Sequence, residues 1–391
     1  MNYQRFHGLD ALRGLAMVLG IVLHAALPYV PSLEMFWPSN DKSSSPITII
    51  FQFIHMWRMP LFFILAGFFA RLLIDRKTWK KWISNRLIRI GAPILIFSPV
   101  MLFTLPWIYM YGWTGKININ FSMDGYPHHL WFLWHLLIFV LVSGAYYCSI
   151  TGSVLLFSRL GFKLNKVRLP VTIINFFEFL NKIIFLQKFP LILIFLITFL
   201  ILFSGGELIL NPFASSAYFL FGYSLYKDEG YFKFIVSNWK KYLLIGLVIS
   251  CLFLILENFS HSNLNYRLSP QELNDFQDLM WLANQPIKVS GAIFISIGLI
   301  GLFESQLRGF NSIGRFLSDS AYWMYLIHLP VVNFVSFYMF QFDVIPEIKF
   351  LISIFITLFI TLITYKIFVR STYLGILLNG RKYPFKKTLQ H

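Results

Sequence analysis

A chain of 391 residues that is 57% hydrophobic and only 13% charged lies outside the soluble range, where about a quarter of residues are charged. Its 44 Phe exceed what a water-soluble core needs; only helices or closed barrels span a bilayer, and the apolar runs are of helix length without strand alternation. The net charge of +16 does not point to nucleic acid, because the cations are confined to alternate loops.

The predicted elements are ten apolar spans, at 9–28, 47–70, 88–110, 129–150, 189–208, 211–226, 241–258, 287–304, 316–340 and 348–369. Span six is short and relies on Phe and Tyr. With the N-terminus placed in the cytoplasm, every Lys and Arg of the 33 falls on that side except Lys42, Arg58, Lys116, Arg267, Lys288 and Lys349. That asymmetry predicts an all-α polytopic membrane protein with both termini cytoplasmic. Residues 1–375 read as a single transmembrane domain and 376–391 as a basic cytoplasmic tail. The first span is expected to stay as an uncleaved helix, since it is long, contains Arg13 and offers only His24-Ala25-Ala26 as a cleavage site. The outer segments 31–45, 112–128 and 258–286 are short and polar. The inner segment 153–188 alternates basic and aromatic residues and is expected along the membrane surface. Cys148 and Cys251 lie in apolar runs and read as small buried residues rather than a disulfide or metal pair.

Span one holds the most informative pair. Arg13 and His24 are eleven residues apart, which returns a helix to within about 20° of its starting face and separates them by about 16 Å. Asp10, three residues before Arg13, is close to the same stripe. An ionisable residue inside a bilayer is expensive and usually faces the protein interior, so the stripe suits moving or reacting something across a membrane.

Four further features carry chemistry. In span two, His55 and Arg58 are three residues apart and fall in the outer half. Arg58 either snorkels to the interface or has a functional partner. At the inner entrance of span three, Arg86 and Arg89 are read as ordinary positive-inside charge or as a phosphate clamp, since a guanidinium binds phosphate bidentately. His128, His129, Trp131, Trp134 and His135 sit at an outer interface, either as belt residues or as an acceptor or catalytic site. No carboxylate accompanies them at ligand spacing, so no metal is expected. In span nine, Ser318 to His328 ends on another intramembrane histidine, either functional or packed. The sequence has no GxSxG elbow, P-loop, GxGxxG helix start or HExxH, which leaves soluble hydrolases and nucleotide-driven pumps without support.

Together these residues resemble acyltransferase family 3, the integral-membrane acyltransferases that O-acylate extracytoplasmic glycans. The resemblance runs from Phe6-His7-Gly8-Leu9-Asp10-Ala11-Leu12-Arg13-Gly14, with its Arg-x10-His continuation to His24. It continues through Phe62 to Gly67, the Arg86/Arg89 pair, His129-Leu130-Trp131-Phe132-Leu133 and Tyr322 to His328. The His55-x-x-Arg58-Met59 variant most resembles the glucan biosynthesis protein C subgroup, proposed succinyltransferases of osmoregulated periplasmic glucans. Many acetylating members carry a Glu after the Trp-Phe-Leu motif, where this chain has Trp134 and His135.

The resemblance implies a multi-pass protein of the bacterial cytoplasmic (inner) membrane, in contact with lipid. It implies acyl-CoA as the donor substrate, an extracytoplasmic glycan as the acceptor, and no permanently bound cofactor. His24, Asp10 and Arg13 form the implied catalytic group, with His24 as general base or acyl relay and Asp10 fixing the Arg13 rotamer. Arg86 and Arg89 would meet the CoA phosphates. His55, Arg58, His129, Trp131 and His328 would contact substrate. Arg58 is expected to pair either with Glu207, at the outer end of span five, or with the carboxylate of a succinyl donor. A succinyl group is favoured, with acetyl next. The alternative is a secondary transporter or glycan flippase without acyl-transfer chemistry.

Overall fold

The computed structural model describes residues 6–33, 36–39, 43–124, 126, 128–159, 179–180, 182–204, 208–260, 270–307, 309 and 312–384. Among them there are helices and no strands. The helices are α1 (His7–Ala26), α2 (Ser45–Arg76), α3 (Trp79–Arg86), α4 (Ala92–Thr114), α5 (Trp131–Arg159), α6 (Leu191–Ser204), α7 (Pro212–Lys227), α8 (Glu229–Ser237), α9 (Trp239–Ser260), α10 (Pro270–Gln306), α11 (Ser312–Tyr338), α12 (Pro346–Thr364) and α13 (Tyr373–Asn379). A π turn, Leu87–Gly91, joins α3 to α4. Eight helices are long and apolar enough to cross a membrane by length and composition, among the described residues. Predicted spans five and six are α6 and α7, of 14 and 16 residues, shorter than the ~20 residues a bilayer core needs.

The termini of these helices follow local chemistry. Ser44 caps α2, with its side chain accepting from the Ile47 N–H. Asp228 does the same for α8 through Tyr231. The start of α1 is capped from another helix, because the Leu9 N–H donates to Glu304 Oε1 at 2.8 Å. This satisfies one of the donors a helix N-terminus leaves open. The predicted boundary at Pro286 lies inside α10, which begins as far back as Pro270.

The bundle has a centre and a lipid face. Buried residues make up 61% of the apolar window of the span that includes α1 and 67% of that of α2, against 22% for α9 and 33% for the span that includes α12. Helix α1 packs against α2, α10, α11 and α12. Hydrophobicity cannot drive helices together inside lipid, so close approach of small residues does. Gly67 of α2 lies against the Phe219 carbonyl of α7, and Gly222 of α7 against the Ile64 carbonyl of α2, with no room for a Cβ at either. Cys148 and Cys251 are free and exposed rather than buried. An apolar run in a membrane protein has a lipid side as well as a core side, and hydropathy does not separate them.

The predicted tail begins inside α13, so residues through Tyr383 belong to the packed structure. Asn379 Nδ2 donates to the Asp319 carbonyl at 2.9 Å, and Tyr383 Oη donates to Asp319 Oδ2 at 2.7 Å. A basic composition reads as solvated in sequence; here a carboxylate on α11 holds it down.

Candidate functional site

A single cavity of about 450 Å³ gathers most of the predicted site residues. Asp10, Arg13, Met17 and His24 of α1 line it, at spacings that keep one helical face inward. Arg58 of α2, Arg86 of α3, Arg89 of the π turn, His129 in the 3-10 turn before α5 and Trp131 at the start of α5 also line it, as do Ser318, Asp319, Tyr322, Tyr325 and His328 of α11. His55 does not: its ring stacks on Phe51 with centroids 5.3 Å apart. Three residues turn a helix about 300°, so an i,i+3 pair still diverges by about 60°, and here Arg58 alone faces the cavity. Glu207 lies outside the described residues.

Helix α11 is the spine of this cavity. Near its start, Ser318 accepts from Arg13 Nη2 through Oγ at 2.7 Å and through its carbonyl at 3.3 Å. Arg13 also meets Asp10 at 3.5 Å. One turn on, Tyr322 Oη donates to the Arg89 carbonyl inside the π turn at 2.6 Å. One turn further, the Tyr325 carbonyl faces His129 Nε2 at 2.9 Å, and Tyr325 Oη donates back to the His129 carbonyl at 2.5 Å. His328 ends the series. The distance from Asp319 to His328 is about 13 Å along the axis, at 1.5 Å per residue.

The two ends of the cavity differ in chemistry. The end near Ser318 carries guanidinium groups. Among the described residues neither Arg86 nor Arg89 meets a carboxylate, and Arg86 Nε is buried without a partner. Two half-buried cations that meet no carboxylate make a site for an anion. The walls between the ends are apolar, with Met17, Phe62, Leu65, Phe132, Leu136 and Ala321.

The far end is a histidine cluster. The His24 and His328 rings have centroids 5.2 Å apart, and His129 and His328 stand at the same distance, edge to face. Backbone carbonyls set two of the tautomers. A carbonyl can only accept, so His129 carries its proton on Nε2, facing Tyr325. His328 carries its proton on Nδ1, which donates to the Met324 and Tyr325 carbonyls at 3.0 and 2.9 Å. The remaining nitrogens, His129 Nδ1 and His328 Nε2, are buried with open lone pairs, and His24 Nδ1 is buried without a partner. Buried polar atoms in folded proteins are nearly always paired. His129 Nδ1 and His328 Nε2 can each accept from a different hydroxyl of a polyhydroxylated substrate.

Arg58 completes the far end. It is 7% exposed, its Nε is buried without a partner, and its guanidinium rests on Gly20, where a Cβ would occupy the same space. Gly20 and His24 are four residues apart on α1, which places the Arg58 guanidinium about one helical turn, ~6 Å, from His24.

The sequence singled out the motif from Ser318 to His328 but kept only His328 as a site residue. The signal for Asp319, Tyr322 and Tyr325 was there, in the three-residue stride that ends on His328. Nothing local marked Leu378, Asn379 and Arg381, which also line the cavity.

Comparison with known proteins places these residues in context. A family model described as an acyltransferase domain, acyltransferase 3, matches residues 6–366. Glucans biosynthesis protein C of Escherichia coli K12 is 34% identical over 141 residues, which cover 33% of this chain and 36% of that protein. The proteins of the same name from Shigella dysenteriae serotype 1 and Escherichia coli O1:K1 are each 33% identical over the same lengths. The chain therefore aligns with little more than a third of the length of these curated relatives. No solved structure matches.

Proposed function

The chain belongs to the acyltransferase 3 family of membrane acyltransferases, and on that premise we propose that it moves an acyl group from cytoplasmic acyl-CoA to a hydroxyl of an extracytoplasmic glycan, across the bacterial cytoplasmic membrane. One observation carries this reading: a single cavity joins an arginine-rich end, where Arg86 and Arg89 meet no carboxylate among the described residues, to a histidine cluster at the other. The ends are separated by about the length of a pantetheine arm, ~16 Å from Arg13 to His24.

The donor enters at the end that bears Asp10 and Arg381. Its phosphates meet Arg86 and Arg89, and Arg13, held by Asp10 and Ser318, completes that rim. The pantetheine arm lies along the apolar walls. The thioester then reaches His24. As general base, a His24 ring nitrogen takes the proton of the glycan hydroxyl while the hydroxyl oxygen attacks the thioester carbonyl carbon. The tetrahedral intermediate collapses, the carbon–sulfur bond breaks, and the thiolate leaves with the proton returned from His24. In the acyl-relay version His24 itself takes the acyl group first. The open lone pairs of His129 and His328 accept from neighbouring hydroxyls of the acceptor and so orient it, and Trp131 offers an aromatic face to a sugar ring.

The acyl group is succinyl in this reading. An Arg deep in a membrane bundle calls for an anion, and among the described residues Arg58 has no carboxylate partner. A succinyl carboxylate supplies one a turn away from His24. The name of the matched relatives supports a glucan acceptor.

The test is CoA release by the purified protein in detergent, with succinyl-CoA or acetyl-CoA and a glucan acceptor. Acceptor-dependent thiol release is expected, faster with succinyl-CoA. A transporter or flippase releases none, and that result would overturn the proposal.

A further inference from the structure

The short helix α13 ends at Gly380, whose φ of 72° is left-handed and whose N–H donates to the Ile376 carbonyl. This is the ordinary glycine ending of a helix. Gly380 has a second duty here, because the Arg89 guanidinium occupies the space where a Cβ would stand. The next residue, Arg381, places Nη2 2.5 Å from Asp319 Oδ1. Tyr383 holds the other oxygen of the same carboxylate at 2.7 Å, and Asn379 holds the Asp319 carbonyl. The strap from Thr372 to Tyr383 is thus pinned to Asp319 of α11, with Arg315 of the same helix donating to Tyr383 Oη at 3.3 Å, and it rests on one arginine of the π turn.

Leu378, Asn379 and Arg381 line the cavity, yet they lie beyond residue 366, where the family match ends. The arginine-bearing mouth is therefore finished by a segment that lies beyond the family match. Arg381 Nε is buried and without a partner, although Asp319 already engages Nη2. It has hydrogen-bonding capacity left over, at the rim of a site where, among the described residues, Arg86 and Arg89 meet no carboxylate.

Depth along α11 orders these cations. Tyr322 fixes the π turn of Arg89, and Asp319 fixes Arg381 three residues closer to the helix start, so the two anchor points differ by about 4.5 Å along the axis. Arg381 also keeps 35% of its side chain exposed, as befits the outer rim. A ligand whose reactive end lies at His24 would meet Arg89 first and Arg381 at its far end.

We propose that the strap from Thr372 to Tyr383 is part of the donor site, with Arg381 binding the phosphate farthest from the thioester, the ribose 3′-phosphate of CoA, and Asp319 acting as the residue that positions Arg381. This rests on the acyl-CoA reading above. It adds a prediction that reading does not make: the protein distinguishes CoA from dephospho-CoA, which lacks only that phosphate.

The experiment is direct binding of CoA and of dephospho-CoA to the purified full chain, by calorimetry in detergent. Wild type is expected to prefer CoA about tenfold, and Arg381→Gln to lose that preference by weakening CoA about tenfold while leaving dephospho-CoA within about twofold. Arg381→Lys, which keeps the charge, should recover part of the preference. Asp319→Asn should reduce it by freeing the strap. Equal weakening of both ligands by Arg381→Gln and Arg381→Lys would make the strap a purely structural lid and overturn the proposal. So would a wild type that binds both equally. A wild type that binds neither ligand would overturn the acyl-CoA reading itself, and this inference with it.

Discussion

Gly20→Ala is a small perturbation with a large expected consequence. The added methyl falls on the Arg58 guanidinium and within 3.1 Å of Met17 Cε. Two opposing effects can be weighed. Replacing Gly by Ala in a helix interior favours the helix by about 1 kcal/mol. Overpacking a filled site costs about 1–3 kcal/mol, unless the intruded group can move. Arg58 is the end of a long side chain, so it gives way and the fold survives; the thermal midpoint should change little. What is lost is the placement of the cation one turn from His24. A hydrogen bond to a charged group contributes about 1.5–3 kcal/mol, so kcat/KM with succinyl-CoA should fall by roughly 10- to 150-fold. Acetyl-CoA carries no distal carboxylate and should lose less than about threefold. The assay is thiol release with both donors side by side, with Arg58→Gln as the reference. An equal fall with both donors in both variants would make Arg58 a structural cation. Unchanged succinyl transfer in Gly20→Ala would refute the packing argument outright.

Arg86→Gln combined with Arg89→Gln should raise the apparent donor constant tenfold or more, about 1.4 kcal/mol, with turnover nearly intact; a fall in turnover at unchanged donor affinity would contradict a phosphate-binding role. Gly380→Ala places a side chain in the left-handed region and onto Arg89, so it should cost about 1–3 kcal/mol, seen as a lower thermal midpoint together with weaker donor binding. Gly222→Leu should abolish folded protein, because the side chain meets the Ile64 carbonyl of α2 across a backbone contact; normal membrane levels with a monodisperse profile would show that the crossing can open.

Much of this site was legible because it lies on helices whose faces can be counted. Asp10, Arg13 and His24 sit on one stripe of α1, and all three line the cavity. Arg86 and Arg89 lie three apart, and a π turn that no spacing rule marks carries the second of them. His55 was grouped with Arg58 by the same spacing and does not line the cavity, because a 60° offset separates cavity from wall when the cavity is narrow. The exposed cysteines and the short α6 and α7 show a different gap: hydropathy measures how apolar a stretch is and not which neighbour it faces. Arg381 was out of reach for a third reason. Its position depends on Asp319, 62 residues earlier, and on a glycine that lets Arg89 through; no local pattern encodes a contact of that kind.

The role of His24 is tested most directly by His24→Ala, with donor binding and glycan acylation measured on the same preparation. Donor binding should stay within about threefold of wild type, because the arginine end of the cavity is untouched. Acyl transfer, read by mass spectrometry of the glycan, should fall by at least about 100-fold, the smallest loss expected on removing a general base. Transfer that continues at more than a few percent of the wild-type rate, with donor bound normally, would contradict the catalytic role of His24.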